Sequence, residues 1–251
     1  MNTALVTHPD CLGHVNPPGH PECVDRLKAV LAVLEGEEFC YLVREEAPLA
    51  EDAHILRVHP PLHLLALNAR APTHDIVPID ADTFLCPGSL AAARRGAGAI
   101  VRGIDMVMGG EVKNAFCAVR PPGHHAEKAT AMGFCLFGNV AIGALHALEA
   151  HGLERVAVMD FDVHHGNGTQ DLLWDEPRVV FASTQQMPLY PGTGAENEKG
   201  AHGQIYNVPL PPGAGGAEFR AAMEDVVLPA IDAHAPQLIL ISAGFDAHAR
   251  D

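Results

Sequence analysis

The stretch Val156-Ala157-Val158-Met159-Asp160-Phe161-Asp162-Val163-His164-His165-Gly166-Asn167-Gly168-Thr169 constrains this chain more than any other. A short apolar run gives way to two carboxylates, then two imidazoles, then a glycine turn. An apolar, partly β-branched run bounded by turn signals reads as a buried strand. Carboxylates and histidines released where such a strand ends are the raw material of a metal site.

The rest of the chain repeats the pattern of strand, then polar cluster, then helix. Ala4 to His8 reads as a first strand, followed by a His-, Pro- and Gly-rich loop from Pro9 to Pro21. Val24, Leu27, Val30, Leu31 and Leu34 recur at helical spacing, with Gly36 placed to end that helix. Residues 51–69 suggest two short helices broken at Pro60-Pro61. Arg70 to Gly88, with three prolines, reads as a long surface loop of the kind that often carries function. Ser89 is placed to cap a helix running to about Met108, closed by Gly109-Gly110. Ala115 to Val119 reads as a second buried strand, Asn139 to Ala150 as a helix stopped by Gly152, and Val179 to Ser183 as a further strand. A Gly- and Pro-rich loop spans Pro188 to Gly203. Glu218 to Ala233 has the spacing of one amphipathic helix, and Leu238 to Ser242 that of a last strand. Strands alternating with helices imply an α/β fold, a mostly parallel sheet with helices on its faces. No repeat or linker divides the chain, so residues 1–251 are expected to form a single domain.

The polar clusters at 124–125, 160–165 and 246 each follow an apolar run. In open α/β sheets the ligand site lies outside the carboxyl ends of the strands, so three distant segments are candidates for one site. Asp162 and His164, two apart in an extended segment, point the same way, and Asp246 leaves its own strand as they do. Two oxygens and a nitrogen leave open positions, as a catalytic metal centre requires. On the same alternation His165 points away. His124-His125, on the turn Pro121-Pro122-Gly123, offers bases poised near neutral pH. Such a base needs its far nitrogen oriented, for which Asp160 and Asn167 are candidates. Phe134, after Gly133, and Tyr190 are aromatics on glycine-bearing loops that suit the walls of a slot for an alkyl chain. Asp82 suits a substrate contact at the rim. Each of these residues taken singly also has a structural reading, as a capping loop, a core aromatic or a solvated carboxylate.

Composition narrows the partners. The formal net charge is -15, with 31 Asp and Glu against 16 Lys and Arg. A nucleic-acid binder needs a basic footprint that is missing here. The charge suits a cationic partner, or simply solubility. Six scattered cysteines without a CxxC pair fit reduced thiols, and no apolar run reaches membrane-spanning length. A soluble, cytoplasmic protein is expected.

Four motifs in order now carry a family likeness. They are Arg120-Pro121-Pro122-Gly123-His124-His125-Ala126, Gly133-Phe134-Cys135, Asp160 through Thr169, and Ser242-Ala243-Gly244-Phe245-Asp246-Ala247-His248. Together they resemble the zinc-dependent histone deacetylase family, near its class II-like bacterial members and acetylpolyamine amidohydrolases. The resemblance runs from Thr3 to the last residue. It implies an arginase-like fold and hydrolysis of N-acetyl amides on a lysine peptide or a polyamine. It further implies Asp162, His164 and Asp246 as ligands of Zn2+, and His124 and His125 as the catalytic pair supported by Asp160 and Asn167. Gly133, Phe134, Tyr190 and Asp82 become substrate-binding residues. A structural K+ is implied near Asp160, Asp162, His164, Ser183 and the backbone beside Phe181.

The sequence departs from the family in one respect that bears on chemistry. The family's oxyanion donor is a tyrosine in a Glu-Gly-Gly-Tyr motif, and the residues up to Asp251 contain none. Losing one such donor typically costs about 100- to 1000-fold in rate. The expectation is a C-terminally truncated domain with apolar surface left uncovered. An inactive acyl-lysine-binding homologue and a manganese ureohydrolase are the competing readings, and the His-His loop fits the second poorly.

Overall fold

The computed structural model describes residues 2–251. In chain order the elements are β1 (Thr3–Thr7), α1 (Val24–Leu34), β2 (Val43–Glu46), α2 (Asp52–Ile55), α3 (Pro61–Arg70), β3 (Val77–Pro78), β4 (Phe84–Leu85), α4 (Ser89–Met108), β5 (Asn114–Cys117) and α5 (Asn139–Ala150). They continue with β6 (Val156–Asp160), α6 (Asn167–Leu173), β7 (Val179–Gln186), β8 (Ile205–Leu210), α7 (Gly216–Ala222), α8 (Leu228–His234) and β9 (Leu238–Ser242). Contacts gather the chain into two compact units, up to Gly143 and from Ala144 onward.

In the first unit β1 is the middle strand of a parallel sheet ordered β2-β1-β5. Ala4, Leu5 and Val6 are at most 1% exposed because strands flank them on both sides. Ala4 and Val6 pack against Ala99 and Met106 of α4. Leu5, on the opposite face, meets Cys11 and Leu27. A separate apolar cluster joins α3, α4 and the segment 131–142 through Leu64, Leu67, Ala97, Leu136 and Phe137.

In the second unit the parallel sheet runs β8-β7-β6-β9. β6 has partners on both edges, which is why its residues are apolar without alternation. One face, with Ala157, Val180, Ala182 and Val208, is covered by Val227 and Ile231. Ile239 and Ile241 of β9 lie in register with Ala157 and Met159, hence on that same face. They are 50% and 52% exposed, because the helical cover stops short of this edge strand.

Several expected boundaries shift for identifiable reasons. Ser89 does not cap α4. Gly88 takes that position, and the Ser89 hydroxyl accepts the Cys86 N–H at 2.7 Å. Gly36 does not end α1, since Glu35 does and Gly36 is extended. The expected buried strand at 115–119 is the edge strand β5, whose Phe116 is 38% exposed. Glu218 to Ala233 is helical throughout but interrupted by a π turn at Met223–Val227. Pro229 lacks the N–H an uninterrupted α-helix would use there, and its ring would crowd the carbonyl of Asp225. The polar stretch at 70–88 folds into the short hairpin β3-β4. β2 and β8 were not legible: β2 reads Val-Arg-Glu-Glu, and β8 contains Pro209.

Candidate active site

β6 ends at Asp160, in register with Ser183 of β7 and Ser242 of β9. Beyond it the chain turns sharply. The Asp160 Oδ1 accepts the Asp162 N–H at 3.0 Å, and the Asp162 Oδ1 accepts the His164 N–H at 2.8 Å. These side-chain-to-backbone bonds aim Asp162 and His164 to one side of the strand's end. From β9, Asp246 reaches the same place, its Oδ1 accepting the Val163 N–H at 3.0 Å.

The result is a convergence on one ring nitrogen. His164 Nδ1 lies 3.0 Å from Asp162 Oδ1 and 2.9 Å from Asp246 Oδ2. Hydrogen bonds to Asp162 and Asp246 hold the imidazole up at about 10, against the burial that would lower it. One ligand-type atom from each of the three residues falls within 4.8 Å of the others. Two hard oxygens and one imidazole nitrogen at that spacing fit a divalent ion such as zinc. Gly244 belongs to this geometry: a β-carbon there would run into the Asp162 carboxylate.

The Tyr190 ring stands edge-on, 6.3 Å from the His164 ring, and is 39% exposed. His165 turns elsewhere. It is buried, with Nδ1 2.8 Å from the Thr193 hydroxyl on the loop that carries Tyr190. Asn167 is buried in the first turn of α6, and its N–H donates to the His165 carbonyl at 2.9 Å. Ser183 is buried on β7 and donates to Gln185 Oε1 at 2.9 Å.

In the first unit His124 and His125 are 8% and 4% exposed, with ring centroids 3.9 Å apart. Gly133 packs on the His125 ring so closely that any side chain there would collide with it. The next residue, Phe134, has φ +67°, a left-handed conformation uncommon outside glycine. Its N–H donates to Thr83 Oγ1 at 3.1 Å, and the Thr83 hydroxyl donates to Asp82 Oδ1 at 3.0 Å. Burial pushes the Asp82 carboxyl up, and the Thr83 hydrogen bond works against it. The first unit therefore brings together His124, His125, Gly133, Phe134 and Asp82. The second brings together Asp160, Asp162, His164, Tyr190 and Asp246.

Several supporting residues escaped sequence reasoning. The Arg120 guanidinium pairs with both Glu22 carboxylate oxygens at 2.6 Å and also donates to the carbonyls of Cys11 and His14. It thereby anchors the start of the Pro-Pro-Gly-His-His turn. His59 and His63 stack at 4.5 Å and hold the far end of the same loop. His59 accepts the Gly138 N–H at 2.9 Å, with its other nitrogen 3.1 Å from the Lys128 carbonyl, and His63 Nε2 is 2.8 Å from the Leu136 carbonyl. His20 packs edge-to-face with Phe134. Arg120 stood in the motif without its partner Glu22 being marked, and for the histidines the one signal was their count of 16, which does not say which ones matter.

Comparison with known proteins places the chain in a family and matches its fold. A family model described as the histone deacetylase domain matches residues 20–251. The histone deacetylase-like amidohydrolase of Pseudomonas aeruginosa is 41% identical over 95% of this chain and 65% of its own length. The polyamine deacetylase HDAC10 of Rattus norvegicus is 36% identical over 98% of this chain and 45% of its own. Among solved structures, the HDA15 HD domain superposes with a TM-score of 0.92 at 36% identity, over 99% of this chain and 75% of that one.

Proposed function

Because this chain belongs to the histone deacetylase domain family, we propose that it hydrolyses N-acetyl amides with a zinc ion held by Asp162, His164 and Asp246. The observation that carries the reading is the convergence of both carboxylates on His164 Nδ1, at 3.0 and 2.9 Å. Zinc in that group would polarise the acetyl carbonyl and lower the pKa of a bound water. His124 and His125 serve as the base that takes the proton of the attacking water, then return a proton to the leaving amine nitrogen. Asp160 and Asn167 enter the proposal as supports of that pair. Gly133, Phe134 and Tyr190 line the path of the substrate's alkyl chain, and Asp82 meets its polar end. K+ near Asp160 and Ser183 is part of the same reading, as a structural ion.

The substrate is an acetylated amine on a thin chain, either an acetyl-lysine peptide or an acetylated polyamine. The net charge of -15 favours such cationic molecules over polyanions. Six free cysteines suit a reducing compartment, and the cytoplasm is proposed on that ground. Among the described residues no helix is long and apolar enough to cross a membrane.

The test pairs metal analysis with turnover of an acetyl-lysine peptide and of acetylspermidine. We expect one zinc per chain and zinc-dependent turnover. Asp246→Ala should lose both, and His125→Ala should keep the zinc and lose turnover. A zinc-loaded protein that hydrolyses neither substrate overturns the reading.

A further inference from the structure

Phe134 raises a question that its position beside His125 does not answer: what keeps a bulky residue left-handed? Its φ is +67°, directly after Gly133 at +55°. Non-glycine residues persist in that region only where their surroundings over-determine them. Here the surroundings are few and identifiable. The Phe134 N–H has one acceptor, Thr83 Oγ1 at 3.1 Å. The ring is in T-shaped contact with His20, with centroids 4.6 Å apart and planes at 74°.

Both holders also grip Asp82. The Thr83 hydroxyl spends its one proton on Asp82 Oδ1 at 3.0 Å, and His20 Nε2 lies 2.9 Å from the Asp82 carbonyl. The Glu22 N–H approaches His20 Nδ1 at 3.1 Å, which leaves the proton on Nε2 to donate. The direction of the Thr83 hydroxyl is therefore dictated from two sides. A carboxylate can only accept, so the hydroxyl donates to Asp82, and its lone pair is left for the Phe134 amide. Thr83 is 1% exposed, so water cannot substitute for either partner. Its backbone is pinned as well: Asp80 Oδ1 accepts the Thr83 N–H at 2.7 Å, and the Ile79 N–H donates to the Thr83 carbonyl at 2.7 Å.

We propose that Thr83 is a positioning residue that couples the Asp82 carboxylate to the backbone of Phe134, so that the rim contact and the aromatic wall act as one element. A substrate group that engages Asp82 then finds the Phe134 ring already placed, and loss of the hydroxyl separates the two. The functional consequence rests on the deacetylase reading. The coupling itself rests only on the first unit's geometry.

Thr83→Val keeps the side-chain shape and removes both hydrogen bonds, and Thr83→Ser keeps the hydroxyl. Hydrogen exchange of the segment 131–137 reads the coupling without any assay of activity. We expect faster exchange at the Phe134 amide in Thr83→Val and protection restored in Thr83→Ser. In turnover of an acetyl-lysine peptide, Thr83→Val should raise KM by about tenfold, the scale of a lost buried hydrogen bond to a charged partner, with kcat changed far less. Asp82→Ala combined with Thr83→Val should cost no more than the worse single change, as expected for coupled positions. Unchanged exchange in Thr83→Val, or fully additive effects on KM, overturns the proposal. Should Thr83→Val fail to fold, Thr83→Ser and Asp82→Ala carry the test. The Ser variant must match the parent in exchange and KM, and the Ala variant, which removes the acceptor of the Thr83 hydroxyl, must alter exchange at Phe134, or the proposal falls. Altered exchange in a protein that hydrolyses no acetyl amide supports the coupling and counts against the deacetylase reading alone.

Discussion

Asp162 and Asp246 approach His164 through backbone hydrogen bonds that each carboxylate also makes, to the His164 and Val163 N–H groups. The cluster is thus held by the chain around it as well as by its own charges. Gly244 shows how little room is left, since a β-carbon there meets the Asp162 carboxylate. Gly244→Ala should weaken binding of the proposed zinc ion by about tenfold or more, and strain from the intruding methyl should destabilise the fold by about 1–3 kcal/mol. Competition with a chelating dye measures the first effect and denaturant melts the second. Parent-like zinc affinity in the variant would sink the argument that Gly244 shapes the site.

The loop from Arg120 to Gly138 shows how elements hold a functional segment at both ends. At its start Arg120 and Glu22 form an ion pair whose side chains are 4% and 11% exposed. Breaking a buried pair strands the remaining charge, so Glu22→Gln should cost about 3–5 kcal/mol, seen as a lowered Tm. A change within 0.5 kcal/mol, the ordinary range for surface sites, would contradict this. At the loop's end, burial above all, then the neighbouring His63, pushes His59 down to about 4 from the ordinary 6.5 of a histidine. Its acceptor role toward the Gly138 N–H requires the neutral ring. The unfolded chain takes up this proton near pH 6.5 and the folded chain only near 4. Stability from this group is therefore full above pH 6.5 and drains away as pH falls toward 4, by up to about 3 kcal/mol. Melts across that window should show the slope in the parent and a flatter profile in His59→Gln. Parallel profiles would dismiss the assignment.

At the scale of the whole molecule the distribution of apolar surface stands out. β9 is an edge strand reading Leu-Ile-Leu-Ile-Ser, without charge or proline. Ile239, Ile241 and Phe245 are 50%, 52% and 62% exposed. Edges of this kind pair with other chains unless blocked, and a net charge of -15 is the main opposing influence. We expect concentration-dependent association in sedimentation velocity, stronger at high salt, and its suppression by Ile239→Lys with Ile241→Lys. A parent chain that stays monomeric at high salt and high concentration would refute this.

The sequence by itself determined the parallel α/β class and the identity of the polar clusters. Both are local: runs such as Val156–Met159 declare themselves, and motifs such as Pro-Pro-Gly-His-His stand contiguous in the chain. It also sufficed to set His165 apart from His164. Only the tertiary structure decided what holds those clusters. Thr83 serves Phe134 across 51 positions, Glu22 serves Arg120 across 98, and His59 serves Gly138 across 79. Each partner alone is an ordinary loop residue, with no spacing or periodicity to mark it. The same holds for β5 and β9. Their compositions say strand, but whether a strand is central or at an edge depends on which neighbours the fold brings beside it.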